Sequence, residues 1–171
     1  MSEEKEKTLE EVMKILELQE EILQFTHFTN ADAWELGNII VAEAKKRELS
    51  VAVSIRLNNG LVVFQHMFDG KTLMNEDWIK RKFNTVRDTE SSSLFLYTKL
   101  EKTQRTMQEV HMDEHIYANS GGGFPIRIEE VGVIGAIVVS GLNHVADHDL
   151  VIKCLSKYLH TDEVPRIKDV Y

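Results

Sequence analysis

Two segments carry histidine spacings that metal chemistry uses. His111-Met112-Asp113-Glu114-His115 has the form H-x-x-E-H. On a helix its two histidines would share one face, with Glu114 beside them as a base. Such a zinc site needs a third protein ligand, and this stretch is short, polar and runs straight into glycines, so a solvated loop is the plainer reading. His144 and His148 repeat the i, i+4 spacing, with Asp147 and Asp149 nearby. They could form half of a metal site. A position near a helix start instead gives Asp147 a role with the helix dipole. No metal is expected at either place. Ser91-Ser92-Ser93 lacks the strand–turn–helix setting of a nucleophile elbow. No Ser-His-Asp or Cys-His set can be assembled. The single cysteine, Cys154, excludes an intramolecular disulfide, and the helical apolar spacing of VIKCLSKYL makes it a small buried hydrophobe.

The stretch with the best claim to bind something runs from Asn119 to Gly141. It opens on Gly121, Gly122 and Gly123, followed by Phe124 and Pro125. Backbone N–H groups of such a loop can approach an anion. The loop lacks the Lys-Ser/Thr of a P-loop and precedes a strand rather than a helix, so nucleotide phosphate is not expected. Lys80, Arg81, Lys82 and Arg87 make residues 75–88 the one basic element. Two readings stand. The glycines serve only positive φ, with the cations a solvated or salt-bridged helix face. Alternatively, loop and helix together hold a carboxylate or propionate, between the glycines and the Trp78 helix.

Several elements must position these residues. Thr8 followed by Glu11 has capping-box form, and Leu9, Val12, Met13 and Leu16 recur at helical spacing, which predicts a helix over 8–22. Gln24–Phe28 suits a brief edge strand. Thr29 to Asp32 starts a second helix, whose mid-helix Gly37 implies a close-packed neighbour. Ser50–Leu57 and Leu61–Met67 flank Asn58-Asn59-Gly60, a type I′ hairpin signal. Helices are predicted over 75–88, capped by Asn75, and over 94–107, with one helical turn within 108–118. Strands follow at 124–128 and 131–140, then a helix over 144–159 and an extended tail over 161–171. The nearly all-apolar run Val131–Val139 reads as a central strand covered on both faces. Gly132 and Gly135 within that run mark close packing of a helix or another subunit. The expected fold is an α+β, three-layer α/β/α sandwich with a five-stranded antiparallel sheet.

At 171 residues the chain is expected to form one domain, 1–171, able to bury a core without a staple. Of the net charge of −8, about −5 falls within Met1–Glu21, and no basic stripe suits nucleic acid. Anionic membrane surfaces are disfavoured on the same ground. The acidic, amphipathic N-terminus is not a signal peptide, and no apolar run reaches a membrane span. The cytoplasm is the expected location.

GGGFPIRI, then GVIGAIVVSG and ADHDLVIKCL, resemble the haem-degrading-domain family, HbpS-like or GlcG-like. WIKRKFNTV, FTNADAWELG and the NNG hairpin are similar to its uncharacterised cytosolic branch. The resemblance covers about residues 8–160. It implies a profilin-like fold and assembly into homo-oligomers. It also implies a ligand pocket at Lys82, Asn84, Gly121, Gly122, Phe124 and Pro125, with haem, a tetrapyrrole or another carboxylated compound as ligand. No catalytic residues come with it. The competing expectation is an oligomeric interaction or scaffold protein without small-molecule chemistry, and whether the chain is an enzyme stays open.

Overall fold

Threonine, serine and, for the last helix, asparagine side chains open the helices, and local chemistry accounts for most boundaries. Among the described residues, the order is α1 (Leu9–Ile22), α2 (Asn30–Lys46), β1 (Ala52–Leu57), β2 (Val62–Met67), α3 (Leu73–Thr89), α4 (Ser93–Thr103), a 3₁₀ turn (Gln108–Val110), β3 (Gly123–Ile128), β4 (Gly132–Ser140) and α5 (His144–Tyr158). The structure is a computed structural model that describes residues 7–167. Residues 1–6, and residues 168–171 of the tail expected to be extended, lie outside the described residues. Thr8 and Thr29 cap α1 and α2 in reciprocal capping boxes with Glu11 and Asp32. The third helix starts earlier than expected. Thr72 is its cap, and Asn75 sits three residues in, its side chain accepting from the Thr72 N–H. Its polar side chain answers the cap instead of forming it.

The sheet is antiparallel with strand order β2-β1-β4-β3. It has four strands, not the expected five. Only Phe25 of the Gln24–Phe28 segment pairs, as one parallel bridge to Ile128. Its N–H donates to the Arg127 carbonyl at 2.8 Å, and its carbonyl accepts from Glu129 N–H at 2.9 Å. Four residues on, the chain is already committed to the Thr29 cap, which leaves no length for a ladder. The β1–β2 hairpin forms, but not as type I′. Asn58 and Asn59 keep ordinary negative φ, and only Gly60 takes a positive value, 91°. Gly60 N–H donates to the Leu57 carbonyl at 2.8 Å, so the connection is a three-residue loop with glycine at the bulge.

β1 and β4 form the centre, as the apolar run of β4 required. Val53, Ile55, Ile137 and Val139 pack with α2 and α5 residues such as Leu36, Ile40, Leu150 and Val151. Ala52, Ala136 and Val138 face Ile79, Phe83 and Val86 of α3. α1 joins through Val12 and Leu16, which pack with Leu94, Val145 and Ile167. Gly37 is required by packing: a Cβ there would lie 2.4 Å from the Phe64 ring. For Gly135 the close neighbour is the adjacent strand, the Arg56 carbonyl at 2.4 Å, and not a helix. Gly132 has nothing within 4 Å. No described helix is long and apolar enough to cross a membrane.

Candidate functional site

Lys82 projects from the sheet-facing side of α3 and is buried. Its ammonium donates to the Val139 carbonyl at 3.0 Å and to Asp147 Oδ2 at 3.1 Å. Both side chains are 2% exposed. Asp147 lies in the first turn of α5, where the helix dipole favours an anion. It also accepts from the Leu142 N–H at 2.9 Å and more weakly from the Gly141 N–H. Burial pulls the Lys82 pKa down, against the pull of Asp147; burial likewise pushes Asp147 up, against Lys82 and the two amides. The pair is held by four hydrogen bonds, yet water has been removed from both charges.

The pair forms part of the wall of a cleft of about 230 Å³ at the C-terminal end of β4. Asn75 and Trp78 of α3, Ser120, Ser140, Gly141, Leu142 and His144 complete the lining. The Arg81 guanidinium stacks 4.0 Å over the Trp78 ring and pairs with Asp77 at 2.9 Å. His144 accepts from the Gly121 N–H through Nδ1, at 3.1 Å, so its ring proton sits on Nε2. Burial, and after it the Lys82 charge, hold the His144 pKa below the ordinary histidine range. Its ring meets Tyr97 edge-on at 4.5 Å.

The residues expected to form a pocket are only partly gathered. Lys82 lines the cleft, while Gly121 and Gly122 lie buried behind it, against His144, Lys82 and Asp147. Two loop amides are spent inside the protein, Gly121 N–H on His144 and Gly123 N–H on Ser93 Oγ at 2.9 Å. A Cβ on Gly122 would lie 2.2 Å from the Val139 carbonyl and 2.9 Å from Lys82 Nζ, and φ there is +124°. Asn84 faces another loop and donates to the Ile116 carbonyl at 2.9 Å. Phe124 is buried against His148, and Pro125 pairs with Ala136 on the edge strand β3. Sequence reasoning weighed His144 and Asp147 only as half of a metal site or as helix-start groups, and gave no site role to Ser120 or Ser140. The available signal was the VSGLNHVADHD turn, where a strand end delivers polar groups to a helix start.

The other candidates separate. His115 is exposed and bonds Asp113 at 3.1 Å. His148 is sealed in the core, with Nε2 2.7 Å from Gln19 Oε1. Among the described residues, no three or more metal-ligating side chains gather. Cys154 is buried, and burial pushes its thiol up to about 12. A larger depression, about 430 Å³, lies elsewhere, among Glu17, Glu20, Glu21, Glu90 and Arg127.

A four-stranded antiparallel sheet with α2 and α5 on one face and α3 on the other defines an α+β fold, with the polar cleft at the end of β4. Residues 28–156 match the family described as Haem degrading protein HbpS-like, and the chain belongs to that family. The UPF0303 protein of Streptomyces avermitilis is 41% identical over 145 residues, 84% of this chain and 88% of the relative. The crystal structure of Ybr137w superposes with a TM-score of 0.82 at 28% identity, over 91% of this chain and 95% of that one. The PduOC:Heme complex superposes with a TM-score of 0.64 at 18% identity, over 75% and 93%, a likeness of fold.

The residues at this cleft do not fit an enclosed haem. At roughly 30 Å³ of liquid volume per water, the cleft holds about eight waters' worth of ligand, far less than a porphyrin. The lining histidine already uses Nδ1 for Gly121.

Proposed function

We propose that this protein binds a small carboxylated molecule in the Lys82–Asp147 cleft. The observation that carries this reading is the buried ion pair itself. Lysine and aspartate are rarely buried this deeply, and here the pair opens on a cavity lined by hydroxyl, amide and indole groups rather than closing into the core. Lys82 has three donors and two protein partners, so a ligand carboxylate offers a third. Family membership and the haem complex of PduOC support an organic acid as ligand, with haem entering by a propionate. In this reading the chain is one domain over 1–171, a profilin-like α/β/α sandwich, acting in the cytoplasm as a homo-oligomer.

Titration with haemin, followed by absorbance, and with pyruvate, followed by calorimetry, tests this. Saturable binding of at least one is expected, weakened about tenfold in Trp78→Ala, the size of one aromatic contact. Trp78 is partly exposed, so this variant keeps its fold. Absence of saturable binding to either compound at millimolar concentration would overturn the reading.

A second reading, an oligomeric interaction protein, rests on exposed apolar side chains. Leu73 and Met74 in the first turn of α3 are 85% and 74% exposed, and Leu61 and Val62 lie exposed on the edge strand β2 and its turn. Native mass spectrometry decides it: a stable monomer at micromolar concentration ends this reading.

A further inference from the structure

A buried ion pair is weak evidence of a role in stability, because matched apolar residues serve as well or better. Lys82 and Asp147 have the arrangement that lysine chemistry needs. The amine is desolvated, lies against a carboxylate at 3.1 Å, and borders a cavity that a small molecule can enter. Glycine at 122 keeps the loop clear of the amine, since a Cβ there would lie 2.9 Å from Nζ and 3.1 Å from the Asp147 Cβ. His144 is neutral, and Ser120 and Ser140 place hydroxyls on the same walls. A lysine freed from water gives up its proton more readily and becomes a nucleophile for carbonyl carbon. The downward direction of its pKa agrees.

We propose that Lys82 forms an imine with the carbonyl group of a short 2-oxo acid or aldehyde held in this cleft; the proposal rests on the ligand-binding reading above. The step conserves atoms and charge. Asp147 takes one proton from the Lys82 ammonium. The amine lone pair attacks the carbonyl carbon, the C–N bond forms, and the carbonyl electron pair moves to oxygen. That oxygen receives a proton from Asp147, then a second that leaves the nitrogen and returns through Asp147. It departs as water as the C–N double bond closes. One proton stays on nitrogen, Asp147 ends as the carboxylate it began as, and nothing is oxidised or reduced.

Reductive trapping tests the step on the whole protein. The chain is incubated with pyruvate and sodium cyanoborohydride at pH 7, then analysed by intact mass and peptide mapping. One adduct per chain is expected, on Lys82, forming at least tenfold faster than at any exposed lysine. Its rate should saturate in pyruvate and fall when lactate, the same acid without the carbonyl, competes. Lys82→Arg, which keeps a cation opposite Asp147, should give no adduct. Calorimetry with lactate separates the two claims. Lactate binding with no adduct on Lys82, or with label spread over exposed lysines such as Lys45 and Lys80, overturns the imine and leaves non-covalent binding standing. Neither lactate binding nor adduct overturns the imine and, where haemin also shows no saturable binding, the ligand-binding reading with it.

Discussion

Lys82 is one half of a buried ion pair and carries the proposed ligand contact. Removing one member of a buried pair leaves the other charge without a partner, which typically costs 3–5 kcal/mol. Lys82→Met should therefore lower stability by about that much in urea unfolding, and Lys82→Met with Asp147→Leu should recover most of the loss. Two other groups, half-buried Glu20 and fully buried His148, set the pH profile. Glu20 is pushed up to about 7, by burial first and by Glu17, against the Ser92 and Arg127 contacts. The fold favours its neutral form, so its contribution is fully present below about 4.5 and is lost as pH rises towards 7. Glu20→Gln should match the parent at pH 4 and exceed it at pH 8 by on the order of 2 kcal/mol. His148 is held down to about 4 by burial, and its Nδ1 has no hydrogen-bond partner among the described residues. The fold favours the neutral ring, so its contribution is full above about 6.5 and is lost as pH falls towards 4. Thermal midpoints from pH 4 to 8 should thus peak between these limits. The sequence displayed Lys82 because it lies in a basic helix beside glycines. It concealed Asp147, whose pairing spans 65 residues and leaves no periodic trace.

At the scale of elements, local signals were the most readable. Thr8 and Thr29 act as the caps their spacing implied, because capping is a matter of three residues. Thr29→Ala should cost about 1 kcal/mol by thermal unfolding. Gly37 in mid-helix implied a close neighbour, and Phe64 of β2 is that neighbour. Gly37→Ala, although better for the isolated helix, should destabilise by about 1–3 kcal/mol through overpacking; an unchanged melting temperature would show that the Phe64 ring moves aside freely. Where competition between two local demands decided the outcome, the sequence misled. Phe25 has strand character, but the nearby Thr29 cap ends its pairing after one residue. Asn58-Asn59-Gly60 carries a type I′ signal. Asn58 instead donates its N–H to the Ile134 carbonyl at 2.9 Å and its side chain to the Val133 carbonyl, and the turn forms with glycine alone at positive φ.

For the whole molecule, the order of helices and strands was legible from periodicity, and the glycine and strand motifs identified the family. The meeting of α3, the end of β4 and the start of α5 was not, since it depends on β4 lying at the sheet centre between β1 and β3. That placement brings Ser140, Asp147 and Lys82 to one cleft. The central claim is that this cleft takes a carboxylated ligand. Amide-resolved NMR titration of the full chain with pyruvate and with protoporphyrin IX tests it most directly. Saturable shifts are predicted to concentrate at the Trp78 indole N–H and at the backbone amides of Ser120, Gly121, Gly141 and Leu142 with at least one probe. Unchanged signals there with both probes, or shifts confined to the acidic depression around Glu17 and Glu20, would contradict it.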